Sequence, residues 1–426
     1  MDDRFLLLFV VLLAMLVAAT VRCKFDFLEP RIIAVGMMTL STFFALLTSE
    51  MWQFGMSVEG FLLIIGAMLA FCFGSRFAGR CFDDSDKLAP SDVARAYEVS
   101  PLKMTVTIAL MLAMFWCNLQ TIYELSVEYG NSGGYADMIR TLRPLIEQNE
   151  LVFSRWISYR NQLAQAIAYV FFYMFAYNRI FAGVNRLQLL VPVACYIPFP
   201  ILSTARMAVF FLAIYMIVVT LILYQKRNRF ELPAKLNAVK YLIGGGIMFI
   251  AIFFVMGALT GKTISGERTP FIILAHYIGL SIPALDALIH QSIVETPYIG
   301  SHSLHGIYRA LQKIDPSAPS VPLFDPLVHF VGIDTNVYTS LGHYFLDFGI
   351  VGTVIIMWIL GAVYTFFYSA IKRRQSNFAL MLMCYGAFCY PLFLISISER
   401  VFFDLLGTTS IYTLTLLFLS KKIFLR

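Results

Sequence analysis

Charge is what this chain has least of. Only 14% of its 426 residues are Asp, Glu, Lys or Arg, whereas 59% are hydrophobic and the mean hydropathy is +0.75. That scarcity excludes an ordinary soluble domain, in which about 25% of residues are charged. The seven cysteines (Cys23, Cys72, Cys81, Cys117, Cys195, Cys384 and Cys389) fall in apolar runs or short connections and none in the long loops, so no disulfide framework is expected. A P-loop, a GxSxG elbow and an HExxH pair are all missing, which removes the usual carriers of ATP hydrolysis, serine-hydrolase and zinc-protease chemistry. Only His302 and His305 have metal-ligand spacing, with no cysteine pair nearby, so neither a metal nor another cofactor is expected. No internal repeat or long low-complexity segment is visible.

Long apolar runs are what the chain does have. Hydropathy places about eleven membrane spans, near 5–21, 32–49, 60–74, 104–122, 161–177, 188–204, 206–224, 240–260, 346–369, 378–397 and 408–422, each long enough to cross the hydrocarbon core as a helix. The fold class expected is an all-α polytopic membrane protein. MDDRF places two acids before the first apolar run and no small-residue cleavage site follows, so that run reads as a span rather than a signal peptide. The formal net charge of +6 is carried largely by short basic connections, at 178–186, 225–235, 371–375 and 421–426. This is the positive-inside pattern of cytoplasmic loops, and no nucleic-acid partner is implied. Counting spans from those loops puts 123–160 and 261–345 on the outer face. The organisation expected is therefore 1–260 as transmembrane helices with outer loop 123–160, 261–345 as a large extracytoplasmic loop, and 346–426 as the last helices.

All six histidines lie in that late loop or at its exit: His276, His290, His302, His305, His329 and His343. Histidine exchanges protons near neutral pH, so this placement points to chemistry outside the membrane. Within the loop, 270–292 is apolar but interrupted by Gly279 and Pro283, which predicts a re-entrant or interfacial pair of short helices. HSLHGIYRALQKI (302–314) sets Leu304, Ile307, Tyr308, Leu311 and Ile314 at helical spacing. Its opposite face would present His305 and Arg309, four residues apart. Prolines make 315–326 extended, a strap rather than a helix. The other outer loop carries Arg140, Arg143, Arg155 and Arg160 beside an amphipathic stretch, fit either for an acceptor or for anionic headgroups.

Three polar stretches sit at one membrane level. On a continuous helix, Asn336, Ser340, His343 with Tyr344, and Asp347 form one stripe. In STAR (203–206), Arg206 enters the following span from outside, where a cation is costly without an anionic partner. SISERVFFDLLG (396–407) is a tight polar hairpin with Glu399, Arg400 and Asp404.

TNVYTSLGHYFLDFGIVG (335–352) resembles the outer-loop-to-helix motif of the oligosaccharide repeat-unit polymerases, the Wzy group, and of the related O-antigen ligases: Asn336, Tyr338, Asp347, Gly349 and Gly352 match. STAR is similar to the short turn before an arginine in these families, and SISERVFFD resembles their C-terminal polar hairpin. Arg268 and Gly279 meet the R-x10-G spacing of outer loops in some of the polymerases. One departure is Thr335, where the ligases carry a histidine.

The resemblance implies a GT-C-like helical architecture in the bacterial inner membrane and a metal-independent glycosyltransferase. It would join undecaprenyl-diphosphate-linked oligosaccharide repeats into O-antigen, capsule or exopolysaccharide at the outer face, alongside a chain-length regulator and a flippase of the same pathway. Arg206, Arg268, Arg309 and Arg400 would hold diphosphate or sugar, as forked guanidinium donors do. His305 or His343 would take the acceptor's proton, oriented by Asp347 or Asp334. Asn336, Tyr338, Tyr344 and Glu399 would contact sugar. The competing expectations are a lipid-linked oligosaccharide flippase or polysaccharide transporter, and an O-antigen ligase.

Overall fold

The computed structural model describes residues 3–81, 95–147, 151, 153–203, 206–259, 269–290, 298–319, 327–373 and 377–425. They are mostly helical: α1 (Asp3–Arg22), α2 (Pro30–Trp52), α3 (Val58–Arg80), α4 (Pro101–Glu128), α5 (Met138–Glu147), α6 (Arg155–Tyr177), α7 (Val191–Tyr196), α8 (Pro198–Leu202), α9 (Arg206–Arg227), α10 (Leu232–Leu259), α11 (Pro270–Gly279), α12 (Ser281–His290), α13 (His305–Leu311), α14 (Ser340–Arg373), α15 (Phe378–Phe388), α16 (Tyr390–Leu394) and α17 (Thr408–Phe424). One short antiparallel hairpin, β1 (Val328–Phe330) with β2 (Ile333–Thr335), accompanies the helices, and the architecture agrees with the all-α expectation.

Among the described residues, seven helices are long and apolar enough to cross a membrane, α1, α2, α3, α4, α9, α10 and α14, and the α11–α12 pair, bent by 41°, makes an eighth if counted as one span. The chain is therefore a polytopic helical membrane protein, and the expected eleven spans are not confirmed. The reasons are local. The run 187–202 is cut by Pro192, Pro198 and Pro200, which remove helix hydrogen bonds, and 378–394 is interrupted at Cys389. The first turns of α6 carry Arg155, Arg160, Asn161, Gln162 and Gln165, and α17 is only 17 residues long. The bent α11–α12 pair agrees with the broken segment expected from Gly279 and Pro283.

The chain forms two units, each discontinuous in sequence. The first combines 1–88 with 266–376 and 388–411. In it α3 and α14 cross with their backbones in contact: a Cβ on Gly74 would strike the Trp358 carbonyl, and one on Gly361 the Phe71 carbonyl. Such small-residue crossings hold membrane helices together where no hydrophobic force distinguishes helix from lipid. At the far end of α14, Asp26 accepts from Tyr368 Oη (2.8 Å) and Lys372 Nζ (2.6 Å), tying the α1–α2 connection to the last turn of α14. Asp286 of α12 accepts from the Ser57 amide at 3.0 Å and from the Ser57 hydroxyl, anchoring α12 to the start of α3. The β-hairpin rests on the α2–α3 connection through Val331 N to Trp52 O (3.3 Å) and the Phe330–Phe54 ring contact.

The second unit comprises 89–265, 377–387 and 412–426. Its axis is α6, buried on all sides from Ala166 to Ala176. Tyr169 and Tyr215 stack at 4.0 Å, and Tyr215 Oη donates to the Tyr169 carbonyl (2.8 Å). The amphipathic α5 turns Met138 and Leu142 onto Ile122, Leu151, Ile157 and Leu202, so its apolar face packs on its own unit.

Candidate active site

The site is assembled in the first unit from segments far apart in sequence. Helix α14 begins at Ser340, whose amide donates to the Ile395 carbonyl (3.0 Å) and whose hydroxyl donates to the Ser398 carbonyl (2.9 Å), so the helix start is welded to the C-terminal hairpin. Four residues on, the fully buried Tyr344 donates to Glu399 Oε1 (2.9 Å). Glu399 also accepts from the amides of Phe402 (2.8 Å) and Phe403 (2.9 Å), capping the helical turn Val401–Leu405. Burial raises the Glu399 carboxyl; the two amides, the neighbouring His343 and the Tyr344 hydroxyl pull it back.

Helix α13 docks on that turn. A Cβ on Gly306 would lie 2.8 Å from Phe403 O, 2.9 Å from Gly407 N and 2.9 Å from Phe402 O, so only glycine allows this approach. The docking buries His305, 2% exposed, with its ring parallel to Phe403 (centroids 4.3 Å, planes 3° apart). Burial first, then the cations of Arg309 and Arg400, hold its imidazole down to about 4. Arg400 lies 5.2 Å over the same phenyl ring, with a distant ion pair to Asp404 (3.8 Å) and a buried Nε that has no hydrogen-bond partner among the described residues. Asp404 is raised by burial and accepts from Tyr390 Oη (2.9 Å). Lys313, just past α13, reaches Thr408 Oγ1 at 2.6 Å.

Asp347 holds the segment leading into α13: its carboxylate accepts from His302 N (3.0 Å), Ser303 N (2.6 Å) and Ser303 Oγ (2.5 Å). Immediately after it α14 breaks at Gly349 (φ 65°, ψ −169°), a conformation essentially confined to glycine. Gly352 completes the kink, because a Cβ there would meet Phe348 Cβ.

His305, Arg309, His343, Tyr344, Asp347, Glu399 and Arg400 thus belong to one neighbourhood, as the polar stretches suggested. Several of their expected roles change. The stripe from Asn336 does not exist as a helical face, because β2 runs to Thr335, 336–339 is not helical and α14 begins at Ser340. Asn336 is exposed beyond the helix. Tyr338 (2% exposed) and Tyr344 (0%) offer no open ring to a sugar, and Glu399 (4%) has both oxygens engaged within the protein. His305 faces inward while Arg309 is exposed, so α13 does not present them on one surface. Asp334 pairs across the hairpin with His329 (2.8 Å) rather than with a candidate base. Arg206 opens α9 in the second unit, its side chain outside the described set; Arg268 and 320–326 of the proline-rich strap also lie outside the described residues.

Sequence reasoning missed Phe403 as the partner of His305, the 302–303 amides as the partners of Asp347, and the Tyr390–Asp404 bond. Gly306 inside a short helix was the one local signal of close backbone approach. Among the described residues, no group of three or more His, Cys, Asp or Glu is placed to hold a metal ion. No protein-family model, curated protein or solved structure matches the chain.

Proposed function

We propose that the chain polymerises lipid-diphosphate-linked oligosaccharide repeats at the outer face of a bacterial cytoplasmic membrane. The observation that carries this reading is the meeting of α13, the start of α14 and the 396–405 hairpin, which gathers two guanidinium groups, two imidazoles and buried carboxylates beside apolar helices. Glycosyl transfer from a lipid diphosphate needs cations on the leaving group and a base for the attacking hydroxyl. Arg400, its side chain 26% exposed, and the exposed Arg309 fit the first need.

For the base, His343 fits better than His305. A residue held near 4 and 2% exposed is a weak and inaccessible proton acceptor at neutral pH. His343 is half-buried, and Glu399 feels its charge, so a carboxylate stands behind the imidazole to stabilise it when protonated. Asp347 and Glu399 act on this reading as positioning groups.

The test is incubation of purified protein with a lipid-diphosphate-linked repeat from its host, without nucleotide or added metal, and glycan length read on a gel. A ladder lost in Arg400→Ala and His343→Ala supports the reading; wild-type protein that makes no ladder refutes it. A flippase is the second reading, favoured by the 41° bend between α11 and α12, since discontinuous helices line transport paths. Transbilayer movement of the same substrate in vesicles, without elongation, would decide for it.

A further inference from the structure

Helices α4 and α6 of the second unit run in opposite directions, since Asn118 Nδ2 donates to Asn161 Oδ1 (2.8 Å) and Ile122 shares an apolar cluster with Ile157. One residue further along each helix, Tyr123 comes level with Trp156. Aromatic rings gather at this level. Tyr123 stacks on Tyr135 (centroids 4.2 Å, planes 27° apart), whose hydroxyl accepts from the Gln120 amide (3.0 Å). Trp156, 70% exposed, stands perpendicular to Tyr159 (6.0 Å), and Tyr159 stacks on the exposed Tyr412 of α17 (4.8 Å, 14°).

What the helices expose changes at the same level. Residues 104–123 of α4 carry no charge, which is about twenty residues or about 30 Å of helix, the depth of a bilayer's hydrocarbon. The exposed side chains within that stretch include Val106, Leu110, Leu112 and Trp116; immediately beyond it come the exposed Glu124 and Glu128. On α6 the one charge below Trp156 is Arg160, four residues down and within reach of the same level for so long a side chain. Helix α5 spends Met138 and Leu142 on its own unit and leaves Arg140 exposed, so it offers no apolar face to lipid.

Tyrosine and tryptophan join an apolar body to a polar tip, and they concentrate where hydrocarbon meets headgroups. We infer that Tyr123, Tyr135, Trp156, Tyr159 and Tyr412 seat the second unit in the phospholipid headgroup layer, with the hydrocarbon ending at the Tyr123–Trp156 level and α5 above it. Arg155, exposed beside Trp156, then meets lipid phosphates. Of the two roles open to the arginines of this loop, that assigns Arg155 to headgroups and not to an acceptor. The inference does not depend on the polymerase reading.

The experiment reads depth from tryptophan fluorescence of the full-length protein in vesicles of phosphatidylcholine and phosphatidylglycerol. The chain has four tryptophans, Trp52, Trp116, Trp156 and Trp358. Trp52→Phe and Trp358→Phe combined with Trp116→Phe leave Trp156 alone; combined with Trp156→Phe they leave Trp116. The acyl chains carry bromine either beside the glycerol ester or at the chain end. The expected result is that Trp156 loses more emission to bromine near the ester, and that Trp116, exposed seven residues below Tyr123, loses more to bromine at the chain end.

Should the triple variants fail to insert, the same spectra are taken from wild type and Trp156→Phe, and their difference is the Trp156 signal. The inference is overturned if Trp156 ignores both brominated lipids and is quenched by iodide in the water, because the rings then face solvent. It is equally overturned if chain-end bromine quenches Trp156 most, because the hydrocarbon then extends past this level. A third overturning result is Trp156 emission that ignores the lipids and responds to lipid-free oligosaccharide released from the host's polysaccharide, which makes the rings a sugar platform.

Discussion

His305 lies face to face with Phe403, ring centroids 4.3 Å apart and planes within 3° of parallel, and this contact joins the late loop to the C-terminal hairpin across nearly a hundred residues. Because the imidazole is buried there and held at about 4, it is neutral in the folded protein where an unfolded chain, with the ordinary value of 6.5, already carries a proton. The unfolded state therefore binds more protons between those two values, and stability rises with pH across that window. Thermal melts in detergent are expected to show up to ~3 kcal/mol lost on acidification from above pH 6.5 to pH 4. His305→Phe keeps the stack without the proton, so its melts flatten over the same window; an unchanged slope refutes the assignment.

Gly306→Ala places a methyl against three backbone atoms, none of which can swing aside. We expect normal membrane insertion, a cost of ~1–3 kcal/mol from overpacking, and loss of polymer formation because α13 no longer seats on the Val401–Leu405 turn. Full activity in that variant would show that the α13 docking is dispensable.

Asp347→Ala removes the acceptor for the 302 and 303 amides and the Ser303 hydroxyl. Charge-assisted hydrogen bonds of this kind are worth ~1.5–3 kcal/mol. Hydrogen exchange at His302 and Ser303 is expected to accelerate sharply, with little change in α3 or the body of α14. A catalytic role without a positioning one would leave exchange unaltered.

Tyr344→Phe leaves the buried Glu399 short of one donor while its two amide contacts persist. The expected penalty is ~1–3 kcal/mol in unfolding free energy. A change confined to substrate affinity, with no loss of stability, would restore Tyr344 as a sugar contact.

Gly349→Ala forces a side chain into a backbone region essentially reserved for glycine, at a cost of ~1–3 kcal/mol. The kink should straighten and carry 340–348 away from Glu399, so we expect lower melting temperature and lost activity together.

Much of the candidate site was legible as parts. The loop histidines, Arg400, Glu399 and Asp347 stood out because apolar spans make any polar residue beside them conspicuous. Their assignments were not legible, because hydrogen bonds such as Tyr344 to Glu399 or Ser303 to Asp347 join residues more than forty positions apart, and helical periodicity reports only neighbours within a turn or two. The stripe from Asn336 failed for a related reason: periodicity cannot tell that a β-hairpin occupies the residues up to Thr335 and delays the helix to Ser340.

By itself the sequence determined that this chain is a helical membrane protein, because unbroken apolar runs of about twenty residues fit a spanning helix and not the short alternating strands of a closed barrel. The break in α14 was not legible there, because the helix also carries Gly342, Gly352 and Gly361 and only the folded structure shows that Gly349 takes the non-helical conformation. Only the tertiary structure decided how many helices are long enough to cross, which polar groups are spent on one another, and which keep an unpaired atom. Those outcomes depend on burial and on partners brought together by packing, and an isolated segment carries neither.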